Sequence, residues 1–420
     1  MKPLRGTKDI LPDEIIVWQY VYSIAYEILT LYNYKEIRTP LLENTILFNR
    51  SIGNYTDIVN KEMYSFLDQG ERNISLRPEG TASIARAFIS NKLYLRKKIN
   101  RLWYLGAMFR YERPQKGRQR QFHQLGIECI GSPNPIADVE VIRLATKILK
   151  ALKCLEYKLE INSIGNIEER NLYQTQLINY LNKYKYELDI SSQNQLKTNP
   201  LRILDSKNSK TQEILWEGPK LKDFLKSKSL DHFNEICNHL NSLNISYEIN
   251  EYLVRGLDYY NYTAFEIKEQ SLGSQNTICG GGRYDQLIQQ LGGPKTPSVG
   301  WAIGIERLVI ITQNQLKIQQ DNKKIYIAVQ IQSNKIRNQI WDIIKTLEEL
   351  KINFELDLSH SSLHKQIKQA NQISAKICFI IGEEEIKNEY ITVKWLQTGT
   401  QQKIKLNKLK NYLIYLKNGI

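Results

Sequence analysis

The sequence predicts an α+β fold that ends in a small α/β domain. Two apolar runs, at 99–105 and 122–130, are joined by a polar stretch containing Pro and Gly, a pattern typical of antiparallel strands with a long loop. Residues 170–250 are polar and mostly helical in pattern. Beyond residue 325 short strands and helices alternate, which indicates a partly parallel sheet with covering helices.

The length, the composition and the net charge limit the number of domains and the possible functions. At roughly 150 residues per domain, 420 residues predict two or three domains. A composition with 42% hydrophobic and 24% charged residues excludes disordered, collagenous and membrane-spanning classes. The net charge of +14 is compatible with a nucleic acid, an anionic membrane surface or a phosphate-rich substrate, and equally with a solvated basic surface.

The elements before residue 152 follow from local signals. A helix is predicted over 15–34, after Pro12, and its polar interruptions make a membrane span unexpected. Residues 34–42 predict a short strand at a sheet edge or interface, because Pro40 cannot donate to a ladder. The two apolar runs form the hairpin, and a helix follows over 137–152. The N-terminus has no apolar signal core, so neither a secretory nor a transit segment is expected.

The C-terminal region gives a regular order of elements. Strands are predicted at 325–329, 354–356 and 377–382, and helices at 335–350 and 361–371. A Gln- and Asn-rich linker at 313–324 precedes them. The domain prediction is therefore residues 1–320, with a helical insertion at about 170–250, and residues 325–420.

Several classes of site are not supported. The sequence has no P-loop motif, and Gly280–Gly282 lacks the glycine spacing of a dinucleotide-binding turn. The five cysteines are scattered without a C-x-x-C pair, and the five histidines have no ligand spacing. No resident metal site is expected.

A first cluster of candidate site residues lies at residues 76–81. Glu79 and Thr81 are two residues apart beside Pro78 and Gly80. A carboxylate and a hydroxyl at this spacing suit a small ammonium group, but they also suit the cap of a helix start.

A second cluster runs from residue 108 to residue 128. Gln124 and Glu128 would share one face of a strand, because side chains alternate along a strand. Arg110 could face the same cleft, and its planar guanidinium suits a phosphoryl group. These residues indicate a pocket for a zwitterion and a polyphosphate, with a solvated hairpin as the alternative.

A third cluster combines segments 253–260, 279–285 and 298–308. Its glycines allow backbone to approach a ligand closely. Arg307 follows a glycine-containing apolar segment that could also be a tightly packed helix. An arginine there is costly to bury unless it meets an anion.

Together these motifs resemble the bacterial type of the histidyl-tRNA synthetase family. The resemblance rests on R-G-T-K-D at 5–9, F-R-x-E-R-P at 109–114, R-Q-F-H-Q-L-G-I-E at 120–128, L-V-R-G-L-D-Y-Y at 253–260, G-G-G-R-Y-D at 280–285 and G-I-E-R-L at 304–308. It implies a class II synthetase fold: an antiparallel sheet of six or seven strands flanked by helices, a helical insertion and a C-terminal α/β anticodon-binding domain. It also implies a homodimer whose interface includes the segment around Pro40.

The resemblance implies a histidine–tRNA ligase, which uses ATP to form histidyl-adenylate and transfers histidine to the 3′ end of histidine tRNA. Arg255 and Arg110 would be catalytic. The substrate residues would be Glu79, Thr81, Gln124, Glu128, Tyr259 and Tyr260 for histidine, and Arg110, Arg255 and Arg307 for ATP. Mg²⁺ would accompany the ATP phosphates. The acceptor stem would meet Arg113, Gln115, Lys116, Arg118 and Arg120.

Two other functions and two locations stay open at this point. A regulatory paralogue of the histidine-biosynthesis type would bind an effector without charging tRNA, and a non-catalytic RNA-binding protein would need only the positive charge. The N-terminal region resembles cyanobacterial and plastid forms, so we expect a plastid-encoded protein of the chloroplast stroma, with a bacterial cytoplasm as the alternative. No membrane partner is expected.

Overall fold

A computed structural model describes the chain apart from residues 54–55, 116, 271–275, 316–324, 331–333, 360 and 420. The chain forms two compact units, Met1–Lys317 and Ile318–Ile420. Among the described residues no helix is both long and apolar enough to cross a membrane.

The first unit contains eleven named strands and eleven named helices within the described residues. The strands are β1 Lys35–Glu36, β2 Leu42–Asn44, β3 Tyr64–Leu67, β4 Asn73–Leu76, β5 Asn100–Phe109, β6 Gln121–Ile130, β7 Tyr157–Ser163, β8 Glu248–Ile249, β9 Asn261–Glu269, β10 Thr277–Arg283 and β11 Ser298–Gly304. The helices are α1 Pro12–Leu31, α2 Thr45–Ile52, α3 Thr81–Ser90, α4 Leu93–Arg96, α5 Pro135–Ala151, α6 Ile167–Lys183, α7 Ile190–Thr198, α8 Ser209–Glu217, α9 Ser227–Ser242, α10 Leu287–Gln290 and α11 Ile305–Gln315.

An eight-stranded sheet organises this unit, in the order β1-β5-β6-β11-β10-β9-β7-β8. The six central strands pair antiparallel, as the resemblance implies. The strand count exceeds the expected six or seven because β1 and β8, of two residues each, add parallel edges. The predicted hairpin is confirmed: β5 and β6 pair in continuous register from Asn100–Ile130 to Phe109–Gln121.

The segment predicted as one strand over 34–42 is strand only at its ends, in β1 and β2. In between, Thr39 turns toward Arg77, whose Nη1 donates to the Thr39 carbonyl at 3.0 Å and to its hydroxyl at 2.9 Å. β2 then joins a separate three-stranded sheet of order β2-β4-β3, which sequence reasoning did not predict.

The helical region between β7 and β8 contains α6 to α9, as predicted, with short 3₁₀ turns at Pro200–Asp205 and Leu221–Phe224. α6 begins at a capping box in which Asn166 and Glu169 each bond the other's backbone amide. Buried side chains of this region, such as Tyr173 and Leu177, belong to the same hydrophobic cluster as Tyr104 of β5. The insertion therefore shares its core with the sheet.

The second unit is an α/β layer, as predicted. Its strands are β12 Ile325–Val329, β13 Phe354–Leu356, β14 Ile377–Ile381, β15 Tyr390–Trp395 and β16 Gln401–Lys405, in the order β13-β12-β14-β15-β16. Its helices are α12 Asn334–Glu349, α13 Leu363–Gln372, α14 Glu383–Lys387 and α15 Leu409–Gly419. β12 pairs parallel with β13 and β14, whereas β15 and β16 add an antiparallel edge that was not predicted.

A buried ion pair joins β10 to α5. Arg283 is 1% exposed and contacts the carboxylate of Asp138, which is fully buried, and Arg283 Nη1 also donates to the Ser132 carbonyl at 2.8 Å. Burial alone would raise the pKa of Asp138, but the Arg283 charge and a nearby His232 lower it to about 2. Arg283 of the glycine-rich motif is therefore structural.

We expect Arg283→Met to lower the free energy of unfolding by about 3–5 kcal/mol, because Asp138 would stay buried without its main cation. Urea unfolding at neutral pH measures this loss. Lys158→Ala is the matched control, since Lys158 pairs with Glu248 in solvent and its loss should cost about 1 kcal/mol or less. Equal losses in the two variants would contradict the structural role of Arg283.

Candidate active site

The three residue clusters of the sequence meet in one cleft of about 360 Å³ on the large sheet. Strands β6, β10 and β11 supply its floor, and the loops before α3 and β9 supply its walls. The predicted site residues that line it are Glu79, Thr81, Arg110, Arg118, Gln124, Arg255, Tyr259, Tyr260 and Arg307.

Glu79 lies at the start of α3 and is 3% exposed. Its carboxylate accepts from the backbone amides of Thr81 and Ala82, both at 2.7 Å. The capping role and the site role therefore coincide in this residue. Burial raises the pKa of Glu79, while the two amides and the Arg110 charge act in the opposite direction.

Glu128 lies behind Thr81 and is 1% exposed. Its carboxylate accepts from the Thr81 hydroxyl at 2.8 Å and from the Tyr284 hydroxyl. Burial raises the pKa of Glu128 to about 8, although these two hydrogen bonds lower it. A β-carbon at Gly300 would lie 1.8 Å from Glu128 Oε2, so only glycine leaves room for this carboxyl group.

Two tyrosines beside Glu128 were missed by the sequence reasoning. Tyr284 contacts Glu128 directly, and Tyr104 of β5 lies opposite Gly126 of β6. A β-carbon at Gly126 would lie 2.2 Å from the Tyr104 ring. The glycine between Gln124 and Glu128 on the strand was the signal that a large side chain fills that space.

Arginines also line the cleft. Arg255 pairs with Glu266 of β9, and burial would lower its pKa but the Glu266 charge raises it. A β-carbon at Gly280 would lie 2.0 Å from Arg255 Nη2, so the glycine run of β10 makes room for the guanidinium.

The other two arginines make mainly backbone contacts. Arg110 Nε donates to the Pro78 carbonyl at 2.8 Å, and Arg307 Nε donates to the Gly117 carbonyl at 3.3 Å. Burial lowers the pKa of both. The lining contains five arginines and five carboxylates, and arginines gathered in a partly buried cleft indicate a site for an anion.

Four buried polar atoms on residues of the cleft lining have no hydrogen-bond partner within the described part of the chain. They are Gln124 Oε1, the Tyr259 hydroxyl, Arg255 Nε and Glu112 Oε2, although Glu112 Oε2 pairs with Arg118. Buried polar atoms are normally paired. An open amide acceptor and an open guanidinium donor among them fit a ligand with a cationic and an anionic end.

The loop residues predicted to contact RNA fall into two groups in the structure, packed and exposed. Arg118 turns into the cleft and contacts Glu112, whereas Arg120 lies 3.8 Å from the centre of the Tyr111 ring. Arg113 and Gln115 are exposed, and Lys116 lies outside the described residues.

The insertion, which showed no chemistry in the sequence, contributes to the cleft. Arg202 of the 200–205 turn lines it, and Arg170 of α6 donates to the Tyr260 carbonyl at 2.6 Å. Tyr259 and Tyr260 are buried, with ring centres 4.7 Å apart. No group of three or more His, Cys, Asp or Glu within the described ranges could hold a metal ion.

Comparisons with known proteins agree over the whole chain. Residues 6–308 match the family described as histidyl-tRNA synthetase, and residues 324–416 match the anticodon binding domain. A chloroplastic histidine–tRNA ligase of Gracilaria tenuistipitata var. liui is 61% identical over 96% of this chain and 95% of its own length. A chloroplastic histidine–tRNA ligase of Pyropia yezoensis is 52% identical over 100% of this chain and 97% of its own length.

Among solved structures, the apo histidyl-tRNA synthetase of S. aureus is 34% identical, with a TM-score of 0.81 over 98% of this chain and 99% of that chain. This likeness agrees with the antiparallel sheet, the helical insertion and the C-terminal α/β unit. The chain belongs to the histidyl-tRNA synthetase family.

Proposed function

We propose that this cleft activates L-histidine with ATP and that the chain transfers the histidyl group to the 3′ end of histidine tRNA. One observation carries the proposal: buried acidic side chains and partly buried arginines lie in and beside a single cleft. Such a cleft can bind an amino acid and a nucleoside triphosphate next to each other.

On the acidic side, Glu79, Thr81 and Gln124 hold the α-ammonium of histidine. The open Gln124 Oε1 supplies an acceptor for it. Glu128 and Tyr260 bracket the two imidazole nitrogens, with Tyr259 beside them. When Glu128 is ionised, it retains acceptor capacity after bonding Thr81 and Tyr284, because a carboxylate offers about four lone-pair sites. A pocket that pairs both ring nitrogens rejects side chains that lack them.

On the cationic side, Arg110 and Arg255 clamp the α-phosphate and Arg307 holds the γ-phosphate or the adenine face. The histidine carboxylate attacks the α-phosphorus in line, a carboxylate–phosphate bond forms, and the bond to pyrophosphate breaks. Positioning and charge stabilisation suffice for this step, and no protein base is required. Arg255 Nε is an unused donor for the developing charge.

Mg²⁺ enters with the ATP phosphates as part of the substrate. The arginines bear the remaining negative charge of the triphosphate.

The acceptor stem meets the loop between β5 and β6. Arg113, Gln115, Lys116, Arg118 and Arg120 serve this contact, with Arg113 and Gln115 reading the extra 5′ guanosine of histidine tRNA. Support comes from the exposure of Arg113 and Gln115 at the mouth of the hairpin. Phosphate contacts position the stem, and base-edge contacts specify it.

The active form is a homodimer. Support comes from exposed apolar side chains on and near the small sheet, which adjoins Pro40: Leu41, Leu42, Ile46, Phe66 and Leu67. Exposed apolar patches mark interaction sites. The chloroplastic relatives support a plastid location, and we place the protein in the stroma as a plastid-encoded product.

Histidine-dependent exchange of pyrophosphate into ATP, followed by charging of histidine tRNA, tests the function. We expect both activities. Binding of histidine without exchange would favour a regulatory paralogue, and binding of RNA without either would favour a non-catalytic RNA-binding protein. Glu128, with its raised pKa, and the open Arg255 donor favour the enzyme, because RNA binding needs neither.

We expect Arg255→His to abolish adenylate formation while tRNA binding stays nearly intact, because the clamp on the α-phosphate is lost while the exposed loop residues Arg113 and Gln115 are unchanged. Pyrophosphate exchange measures the first effect, and filter binding of labelled histidine tRNA measures the second. Unchanged exchange in this variant would sink the assignment of Arg255.

We expect the stability of the ligand-free protein to fall as pH rises from about 5 to about 8, relative to Glu128→Gln. The pKa of Glu128 is raised from 4.5 to about 8, so in this window the folded chain keeps a proton that the unfolded chain has lost. Urea unfolding of both proteins across the window measures the difference. A constant difference would show that Glu128 is ionised in the folded state.

A further inference from the structure

We propose that Arg202 of the insertion is a positioning residue, which fixes the turn at Arg255 and Gly256 for the activation step. This inference rests on the proposed function of the cleft. Arg202 lies in the 3₁₀ turn Pro200–Asp205, between α7 and α8. Its side chain is 20% exposed and reaches the cleft that contains Arg255.

Arg202 holds two acceptors from two different parts of the chain. Its Nη2 donates to the Gly256 carbonyl at 3.1 Å, and its Nη1 contacts the carboxylate of Asp57. Asp57 Oδ1 also lies 3.8 Å from Lys61 Nζ. A planar guanidinium sets the directions of both contacts, which a lysine ammonium does not.

The segment that Arg202 holds has no regular secondary structure. Residues 253–260 form neither helix nor strand, so their backbone groups need partners outside a ladder. Asn162 Nδ2 donates to the Leu253 carbonyl at 3.1 Å, and the Asp258 amide donates to the Ile52 carbonyl at 3.2 Å. Arg170 donates to the Asp258 carbonyl at 3.3 Å and to the Tyr260 carbonyl at 2.6 Å. Between these contacts, next to Arg255, Arg202 bonds the Gly256 carbonyl.

Holding Gly256 affects the reacting atoms through its neighbour. The Arg255 guanidinium lies in a narrow space between Glu266 and the bare backbone of Gly280. A small shift of the 256–257 peptide, whose carbonyl Arg202 bonds, would displace the adjoining Arg255 and move this group away from the α-phosphate. Misplacement of about 1 Å can cost about a hundredfold in rate, so the loss should appear in catalysis and not in ground-state binding of ATP.

The test compares four variants of the full chain in histidine-dependent pyrophosphate exchange. Arg202→Ala removes both contacts, Arg202→Lys keeps only the charge, and Asp57→Asn removes only the ion pair. Lys222→Ala is the matched control, since Lys222 is an exposed insertion cation paired with Glu251 outside the cleft. Thermal unfolding of each variant reports its folding.

We expect Arg202→Ala to lower kcat by about tenfold to a hundredfold while KM for ATP changes by less than about threefold. The kcat of Arg202→Lys should be nearly as low as that of Arg202→Ala. Asp57→Asn should lower kcat less than Arg202→Ala does, and the kcat of Lys222→Ala should equal that of the wild type. If Arg202→Ala does not fold, Arg202→Lys and Asp57→Asn still decide the question, because a wild-type kcat in both would reject the inference.

Two other results would overturn the inference. A kcat of Arg202→Ala within about twofold of the wild-type value would show that the turn keeps its conformation without Arg202. A raised KM for ATP with unchanged kcat would show that Arg202 binds substrate and does not act through Arg255. Absence of exchange in the wild-type protein would instead reject the proposed function, and the inference with it.

Discussion

The burial of acidic and basic groups in and beside one cleft is the constraint on which the rest of this structure depends. Glu79 and Glu128 are almost fully buried, and the partly buried Arg110, Arg255 and Arg307 line the same cleft as Glu79. Buried charges are costly unless hydrogen bonds or counter-charges meet them. Part of this cost is offset by local partners. The amides at the start of α3 bond Glu79, the Tyr284 hydroxyl bonds Glu128, and the Glu266 carboxylate pairs with Arg255.

The constraint also explains the composition of the strands below the cleft. A charged side chain that lies flat on a sheet needs bare backbone beneath it. Gly280 supplies this surface for Arg255, and Gly300 supplies it for Glu128. Glycine weakens a strand interior, so these strands depend on their antiparallel neighbours for support.

The sequence predicted the parts of the molecule that local pattern determines. The β5–β6 hairpin and the alternating elements of β12 to β14 follow from residue order alone. Tyr284 and Arg202 could not be found in this way. Each reaches its partner across a large sequence separation, from Tyr284 to Glu128 and from Arg202 to Gly256, and no local spacing encodes such a contact. In the small sheet, only the pairing of β2 with β4 spans a long separation, from Leu42 to Leu76, whereas β3 and β4 form a local hairpin that was also missed.

The Arg283–Asp138 pair has a consequence for the accuracy of the cleft. Because Arg283 ends β10 and is tied to α5, the strand cannot slide along its neighbours without breaking a buried ion pair. A slip of one residue would turn every side chain of β10 to the opposite face. It would bring the Cys279 side chain to the place where Gly280 now leaves space for Arg255. Arg283 thus acts as a register lock, and the alignment of the cleft residues depends on an ion pair that does not itself line the cleft.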